Sequence, residues 1–246
     1  MAVQITAVSP ETFGIAACRQ LLMLAGRFEA PLLGLATGNT PIPLYETLRE
    51  RVRLGEISLA RFRSPFAIDE YGVADPEHAC ANRAFFARYW DSIPGTRAVR
   101  QFEPVAGDLS AEASTFGAAL EDAGGLDVVI LGIGINGHLA FNEPGTGRDQ
   151  RAMHTELSAQ TRASASTCFG DTVPTHGLTL GLAEILAARR VLLLANGANK
   201  AEIVARALEG PVGSDCPASF LQEHPDCAVV LDSAAAKELA HTPPAG

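Results

Sequence analysis

The stretch LDVVILGIGINGHLAFNEPG, residues 126–145, joins an apolar run to a turn rich in glycine. A short run of Val, Ile and Leu that ends in such a turn is typical of a buried strand in a parallel sheet. The turn has the spacing GxGxxG at residues 132–137, which is the fingerprint of a dinucleotide-binding loop. It also carries His138 and Glu143, which that fingerprint does not need. The stretch therefore indicates an α/β fold, and its loop is either a cofactor cradle or the wall of an active site.

Similar apolar runs alternate with amphipathic stretches along the rest of the chain, which indicates βαβ units. The pattern predicts a single α/β domain over residues 1–246, with a mostly parallel, doubly wound (Rossmann-like) sheet and helices on both faces. The last residues, 242–246, read TPPAG and are expected to fray. Strands are predicted within 31–36, 61–69, 126–134, 190–196 and 227–232, and helices within 44–52, 78–90, 111–124, 179–188 and 199–210.

The residues after the glycines argue against a dinucleotide. The fingerprint requires a helix that starts inside it and an acidic residue at the end of a second strand about 20 residues on. Here Pro144-Gly145 marks a turn soon after Gly137. The stretch 146–156 is polar, so Glu156 is not expected to end a strand. The glycines are interpreted as a tight loop that approaches a substrate, and no cofactor is predicted.

Composition narrows the class of protein. The chain has 246 residues, of which 47% are hydrophobic and 19% charged, and its formal net charge is -9. An acidic surface disfavours binding to nucleic acid or to an anionic membrane. No apolar run approaches the length of a membrane span, and no secretory signal opens the chain. We expect a soluble cytoplasmic protein, either a monomer or a small homo-oligomer.

The cysteines are five in number and no pair has C-x-x-C spacing. An odd count without paired spacing disfavours a disulfide framework or a zinc ribbon. Free thiols in a reducing cytosol are therefore expected for the whole set, which comprises Cys18, Cys80, Cys168, Cys216 and Cys227.

The turn ATGNTP, residues 36–41, follows a predicted strand and precedes a predicted helix. A glycine lets the backbone approach a ligand, and a helix start offers free N–H groups to an anion, so the turn suits a phosphate monoester. The same residues would also make an ordinary N-cap with proline at the first helical position. Lys200, which begins a later helix, either adds a charge to the same anion or is solvated. The candidate phosphate-binding residues of the turn are Thr37, Gly38, Asn39 and Thr40.

Two further strand ends carry groups for acid–base chemistry. Asp69-Glu70 follows a buried strand, where a carboxylate either acts as a general base or caps the next turn. A lone His such as His138 is often a structural residue, but it can also donate and accept protons near neutral pH, and Glu143 and Asn136 would then fix its tautomer. One His and one Glu do not make a metal set, so no metal is predicted. These groups together indicate proton transfer on a phosphorylated sugar.

Four segments carry a resemblance to a known family: LATGNTPIPLY, AIDEY, GIGINGHLAFNEPG and PASFLQEHP. They resemble glucosamine-6-phosphate deaminases, also called isomerases, in order and spacing over about Leu35 to Asp232. The most specific segment is NGHLAFNEPG. The related 6-phosphogluconolactonases carry a DGHTASLFP-like stretch there, and an Arg in place of Tyr71.

The resemblance implies an enzyme that isomerises an aldose to a ketose and releases the amine by hydrolysis. Asp69 would move a proton between C2 and C1, and His138 would open the sugar ring. Asn136 and Glu143 would hold His138, while the turn 37–40 and Lys200 would bind phosphate. Fructose 6-phosphate and ammonium would leave. The galacto epimer, a lactonase activity and a non-catalytic sugar-phosphate sensor are the alternatives.

Three positions depart from the family pattern. Asn136 stands where many members have Asp, and Asn39 stands where Ser is common. Thr167 replaces the second Arg of the family's mobile lid, and an Arg–phosphate fork is worth about 1.5–3 kcal/mol. Either Arg162 or Arg151 compensates, or the substrate differs. The chain also lacks the longer tail of allosteric members, so no activation by N-acetylglucosamine 6-phosphate is expected.

Overall fold

The computed structural model describes residues 3–73, 75 and 78–240, and the tail expected to fray, 242–246, lies outside them. The strands are β1 (Gln4–Val8), β2 (Leu33–Leu35), β3 (Phe66–Ala67), β4 (Asp69–Tyr71), β5 (Val128–Leu131), β6 (Met153–Glu156), β7 (His176–Thr179), β8 (Val191–Ala195) and β9 (Cys227–Asp232). The helices are α1 (Phe13–Ala25), α2 (Ile42–Arg53), α3 (Asn82–Tyr89), α4 (Leu109–Asp122), α5 (Ala159–Phe169), α6 (Leu182–Leu186) and α7 (Ala201–Glu209).

Within these residues, six parallel strands form the main sheet in the order β1-β9-β8-β5-β2-β3. Alternate residues of each central strand face opposite sides. In β5, Val128 and Ile130 join the apolar cluster that includes side chains of α1, α2 and α3. Val129 and Leu131 join the cluster that includes side chains of α4, α6 and α7. The predicted fold class, a doubly wound α/β sheet with helices on both faces, is confirmed.

The strand order explains where a ligand can bind. The chain runs from β2 to the edge strand β3 and then returns to the other side of β2 as β5. Connections that leave β2 and β5 in opposite directions open a crevice at the carboxyl ends of these strands. The turn 36–41 follows β2 and the glycine loop 132–138 follows β5, so both lie at this crevice.

A second, antiparallel sheet has the order β4-β7-β6, and it corrects two predictions. The stretch 146–156 was expected to contain no strand, yet it ends in β6 at Glu156. This strand is polar because its residues alternate between exposed and half-buried at a sheet edge, so it needs no apolar run. The helix predicted over 179–188 begins only at Leu182, because Thr179 still pairs in β7.

The cysteines require a further correction. Cys80 and Cys168 form a disulfide with a Cα–Cα distance of 5.9 Å, whereas both were predicted to be free thiols. The spacing rule failed because the two residues lie 88 positions apart and only the fold brings them together. Cys18, Cys216 and Cys227 are free and buried, as expected. The bond joins the segment before α3 to the end of α5.

None of the described helices has both the length and the apolar composition that crossing a bilayer would require. α4, the longest described, has 14 residues and carries charged side chains.

Candidate active site

A cavity of about 510 Å³ opens at the carboxyl ends of the parallel strands. The loops after β2, β3, β5 and β8 line it, and α5 closes one side. Most of the predicted site residues meet here; Glu143 lies behind His138, and Arg162 is exposed on α5 without lining the cavity. The polar and charged lining residues are Thr37, Asn39, Thr40, Asp69, Tyr71, Asn136, His138, Gln160, Thr161, Ser164, Asn196, Asn199 and Lys200.

Asp69 is the first residue of β4, pairs with Thr179 of β7 and has 8% of its surface exposed. Asn82 donates its Nδ2–H to Asp69 Oδ1 at 2.7 Å. Burial raises the pKa of Asp69 to about 7 and the neighbouring charge of Glu70 adds to the increase, while the hydrogen bond from Asn82 opposes it. A carboxyl group with a pKa near neutral can both take and return a proton, which is what a shuttle between two carbons needs.

Glu70 points away from the cavity, because successive side chains of a strand face opposite sides. Its Oε1 accepts the backbone N–H groups of Tyr71 and Asn82 at 2.8 and 2.9 Å, and its Oε2 accepts that of Arg83 at 3.0 Å. Glu70 thus occupies the N-terminus of α3, where a carboxylate satisfies free N–H groups. Of the two adjacent acids, Asp69 faces the cavity and Glu70 caps a helix.

His138 lies beside a carboxylate. Its Nδ1 is 3.3 Å from Glu143 Oε2, and Asn136 donates its Nδ2–H to the same oxygen at 2.7 Å. Asn136 Oδ1 in turn accepts the backbone N–H of His138 at 3.2 Å. The ring fits because residue 134 is glycine: a Cβ there would lie 2.4 Å from His138 Nε2. At least this glycine of the GxGxxG spacing therefore makes room for a histidine.

Two residues at the start of α5, Ser158 and Thr161, contribute to the site although the sequence did not predict them. Thr161 Oγ1 donates to Glu143 Oε1 and lies 3.3 Å from His138 Nδ1. Ser158 caps α5 by accepting the N–H of Thr161 at 3.1 Å, and its own N–H lies 3.3 Å from Glu143 Oε1. Ser158 before a helix is a recognisable N-cap, but nothing local to it indicates a contact with Glu143.

These contacts keep Glu143 ionised. Partial burial by itself would raise the pKa of Glu143. The hydrogen bond and charge of His138 and the hydrogen bonds from Thr161 and Asn136 act against burial. Together they lower the pKa of Glu143 to about 2. An ionised carboxylate beside Nδ1 favours the tautomer of His138 in which Nδ1 carries the proton.

The turn 36–41 has the geometry of a ligand-binding loop. Gly38 has φ +84°, which glycine adopts without strain, and a Cβ there would meet nothing within 4 Å. In the described structure no side chain caps the N-terminus of α2 at Pro41, so Thr40 does not act as the N-cap that the sequence offered as an alternative. The Thr37 hydroxyl donates to Asn82 Oδ1 at 3.0 Å.

Lys200 faces the cavity and is not a solvated surface residue. Its Nζ donates to the carbonyl oxygen of Ile133 in the glycine loop at 2.6 Å, and burial lowers its pKa. Among the described lining residues it is the one Lys or Arg. Arg151 forms ion pairs with Glu121 and Glu184 away from the cavity, and the Thr167 hydroxyl bonds the Ser164 carbonyl.

Residues 15–230 match the family model of glucosamine-6-phosphate isomerases and 6-phosphogluconolactonases. The chain belongs to this family. The resemblance drawn from the four sequence segments is confirmed, and the members of the glucosamine-6-phosphate isomerase/6-phosphogluconolactonase family are enzymes.

Curated relatives within the family align over most of their length. A glucosamine-6-phosphate deaminase of Mycolicibacterium smegmatis is 42% identical over 238 residues, which cover 94% of this chain and 90% of the relative. One of Streptomyces coelicolor is 42% identical over 213 residues, covering 85% and 81%. Both are similar enough to share the fold.

Two solved structures have the same fold as this chain. A monomeric glucosamine-6-phosphate deaminase superposes with a TM-score of 0.91 at 31% identity, covering 96% of this chain and all (100%) of the other. A 6-phosphogluconolactonase from Trypanosoma cruzi superposes with a TM-score of 0.79 at 22% identity, covering 98% and 99%. The second likeness shows a shared fold only.

A metal was not predicted for this family member, and that stays a prediction. Among the described residues, no three His, Cys, Asp or Glu side chains come together as a possible metal-binding group. The roles of Arg162 and of the phosphate turn likewise stay predictions.

Proposed function

We propose that the protein is a glucosamine-6-phosphate deaminase, which converts glucosamine 6-phosphate and water to fructose 6-phosphate and ammonium. One observation carries the proposal: a buried carboxyl group with a pKa of about 7, Asp69, and a carboxylate-supported imidazole, His138, line the same cavity. The reaction needs two proton-transfer steps at different atoms of one sugar, and the cavity holds one group suited to each.

Phosphate binding comes first in this scheme. The backbone of the turn 37–40 offers N–H groups, and Lys200 offers the positive charge. Anchoring the phosphate at this end orients the sugar ring toward the glycine loop. Because Lys200 is the one cation among the described lining residues, we expect substrate binding to depend strongly on it.

Ring opening follows at His138. Glu143 holds the Nδ1 proton, which leaves Nε2 to accept a proton from the anomeric hydroxyl and return one to the ring oxygen. The open-chain aldose then exposes its C2 proton to Asp69.

Asp69 takes the proton from C2 while O1 takes up the proton that the ammonium group of the substrate releases, which gives an enolamine, and Asp69 then returns its proton to C1. Its near-neutral pKa suits both directions of transfer. The amine at C2 becomes an iminium group, water adds to that carbon, and ammonium leaves as the ketone of fructose 6-phosphate forms. Each atom of the amine and of the added water is accounted for in the products.

The experiment is an end-point and rate assay on the purified protein. Glucosamine 6-phosphate, galactosamine 6-phosphate and 6-phosphogluconolactone are supplied separately, and ammonium and ketose phosphate are measured. We expect equimolar ammonium and fructose 6-phosphate from the gluco substrate. Ammonium from the galacto epimer alone would reassign the substrate, and no ammonium from either amino sugar would overturn the proposal.

Lactone hydrolysis is the less favoured alternative. Tyr71 lines the cavity at the position where the related lactonases carry Arg, so a cation that would help to hold a lactone is replaced by a phenol. Rapid acid release from 6-phosphogluconolactone without ammonium from an amino sugar would favour it.

The state of association and the location belong to the same proposal. We infer a monomer or small homo-oligomer that works in the cytoplasm, supported by the monomeric relative of known structure. Sedimentation of the purified protein tests the first, and fractionation of the native cells tests the second.

A further inference from the structure

We propose that Asn82 is a positioning residue that holds the carboxylate of Asp69 and ties it to the turn 37–40 across the cavity floor. The inference rests on the proposed function, since it concerns the group that would move the C2 proton. It adds a residue that the four sequence segments do not contain.

Asn82 is buried, with 3% of its surface exposed, and its side chain reaches two parts of the site. Its Nδ2 donates to Asp69 Oδ1 at 2.7 Å and to the Asp69 carbonyl oxygen at 2.9 Å. Its Oδ1 accepts the hydroxyl proton of Thr37 at 3.0 Å. Every polar atom of the amide therefore has a partner in either the base or the turn.

The direction of this chain of hydrogen bonds is fixed by chemistry. The two Asp69 atoms are a carbonyl oxygen and a carboxylate oxygen, so only an NH₂ group can face both. The amide oxygen is left for Thr37, whose hydroxyl must donate. Thr37 thus orients Asn82, and Asn82 orients Asp69.

The contribution of Asn82 to the fold comes instead from its backbone N–H. The N–H of Asn82 donates to Glu70 Oε1 at 2.9 Å and so belongs to the cap of α3. That bond survives any substitution of the Asn82 side chain. Loss of the side chain therefore separates the effect on Asp69 from the effect on the helix terminus.

The consequence is electrostatic. Burial and Glu70 favour the protonated carboxyl of Asp69, and the hydrogen bond from Asn82 favours the ionised form. Without the amide, the pKa of Asp69 rises further. Asp69 must be ionised to act as a base, and without the amide it becomes protonated at a higher pH than in wild type. Turnover at neutral pH therefore falls, and it recovers as the pH is raised.

The experiment titrates Asp69 directly. Protein labelled with ¹³C at the aspartate carboxyl carbons is followed by NMR against pH, and Asp69→Asn identifies the resonance. Asn82→Ala and the volume-matched Asn82→Leu are compared with wild type. We expect the titration midpoint of Asp69 to rise by about one pH unit. At a pH below both midpoints, the ionised fraction of Asp69 is then about tenfold smaller than in wild type. An unmoved midpoint in a folded variant overturns the inference.

Substitutions of Thr37, which change the side chain less, provide a second test if an Asn82 variant fails to fold. Thr37→Val removes the donor that orients the amide, and Thr37→Ser keeps it. We expect the midpoint of Asp69 to rise in the valine variant and to return to the wild-type value in the serine variant. Equal midpoints in both variants would contradict the chain of hydrogen bonds.

Gln222→Ala is the matched control. Gln222 is a half-buried amide that donates to the carbonyl oxygens of Ala207 and Gly210, and it does not line the cavity. Its loss should lower thermal stability without moving the Asp69 midpoint. A midpoint that moves as much as in Asn82→Ala would make the effect a general consequence of destabilisation.

Kinetics separate this inference from the proposed function. In Asn82→Ala the acid limb of the pH profile should move by the same amount as the NMR midpoint, with kcat reduced more than KM. If wild type releases no ammonium, the proposed function fails, and the NMR titration still decides the role of Asn82.

Discussion

Two walls of the cavity are held in place by different means. The strand-end wall, comprising Asp69, Asn136 and His138, lies just beyond the carboxyl ends of β3 and β5 of the main sheet. The α5 wall, comprising Gln160, Thr161 and Ser164, sits on a helix with polar side chains on most of its surface. The first wall holds the groups proposed for proton transfer, and the second holds neutral donors and acceptors.

The α5 wall depends on tertiary contacts. Only Ala165 and Phe169 of α5 join a small apolar cluster with Val73 and Ala81. At one end Thr161 bonds Glu143, and at the other Cys168 bonds Cys80. The groups proposed for proton transfer thus follow strands of the main sheet, while α5 is held by hydrogen bonds to Glu143 near its start and by the disulfide to the segment before α3 near its end.

The largest effect should come from the strand-end wall. In Asp69→Asn we expect turnover to fall by about 10²–10⁴-fold or more, because an amide cannot accept the C2 proton. Binding of fructose 6-phosphate, measured by calorimetry, should survive. Asp127→Asn is the control: this buried carboxylate bonds Leu32 and Arg189 and does not line the cavity. Wild-type turnover in Asp69→Asn would show that the base lies elsewhere.

The pH dependence of the activity should reflect the ionisation of Asp69 in the strand-end wall. The pKa of Asp69 is raised to about 7, so its ionised fraction is lost as the pH falls below that value. Glu143, with a pKa of about 2, stays ionised and contributes no limb in this range. We expect kcat/KM to fall about tenfold per pH unit below neutrality. A flat profile down to about pH 5 would exclude Asp69 as the ionised base.

A smaller effect is expected from the fastening of α5 to Glu143. Thr161→Val removes the hydroxyl that donates to Glu143 Oε1, and a hydrogen bond to a charged group contributes about 1.5–3 kcal/mol. We expect kcat/KM to fall about tenfold or more, with Thr161→Ser close to wild type. If the valine and serine variants have the same rate, the α5 wall does not support the imidazole.

The disulfide should matter more for stability than for rate. Removing a bond that closes a long loop usually costs about 2–4 kcal/mol of the free energy of unfolding. Cys168→Ser, measured by urea unfolding, should lose about that amount and keep most of its turnover, because no active-site hydrogen bond involves the sulfur atoms. The double variant with Cys80→Ser should be no less stable than the single one. A wild-type unfolding midpoint indifferent to dithiothreitol would show that the bond does not form.

Removal of metal ions should have the smallest effect. The proposed proton transfers use Asp69 and His138 alone, so overnight dialysis against EDTA should leave kcat and KM unchanged. Inactivation that zinc or magnesium reverses would return His138 and Glu143 to consideration as ligands.

Sequence patterns predicted the strand-end wall because the signal there is local. A run such as VVIL indicates a buried strand, so the polar residue that follows it lies at the carboxyl end of that strand. His138 and Asp69 could therefore be singled out from their own neighbourhoods. Within the GxGxxG spacing, Gly134 makes room for the ring of His138.

The remaining features depend on partners far away in the sequence. Asn82 reaches Asp69 across 13 residues and Thr37 across 45, and Thr161 reaches Glu143 across 18. β6 is polar and is a strand only because β7 lies beside it. Cys80 lies beside Cys168 because α5 packs against the segment before α3. None of these pairings leaves a periodic trace in the chain.

The disulfide also changes how the two walls are connected. It closes the 88-residue span between Cys80 and Cys168 into a covalent ring, and the exposed turn 147–150 lies within that ring. A protease that cuts once after Arg148 would leave Asp69 and His138 on one fragment and Thr161 and Lys200 on the other. The two fragments would stay joined through sulfur, so the nicked protein would keep its full mass until a reductant released the halves.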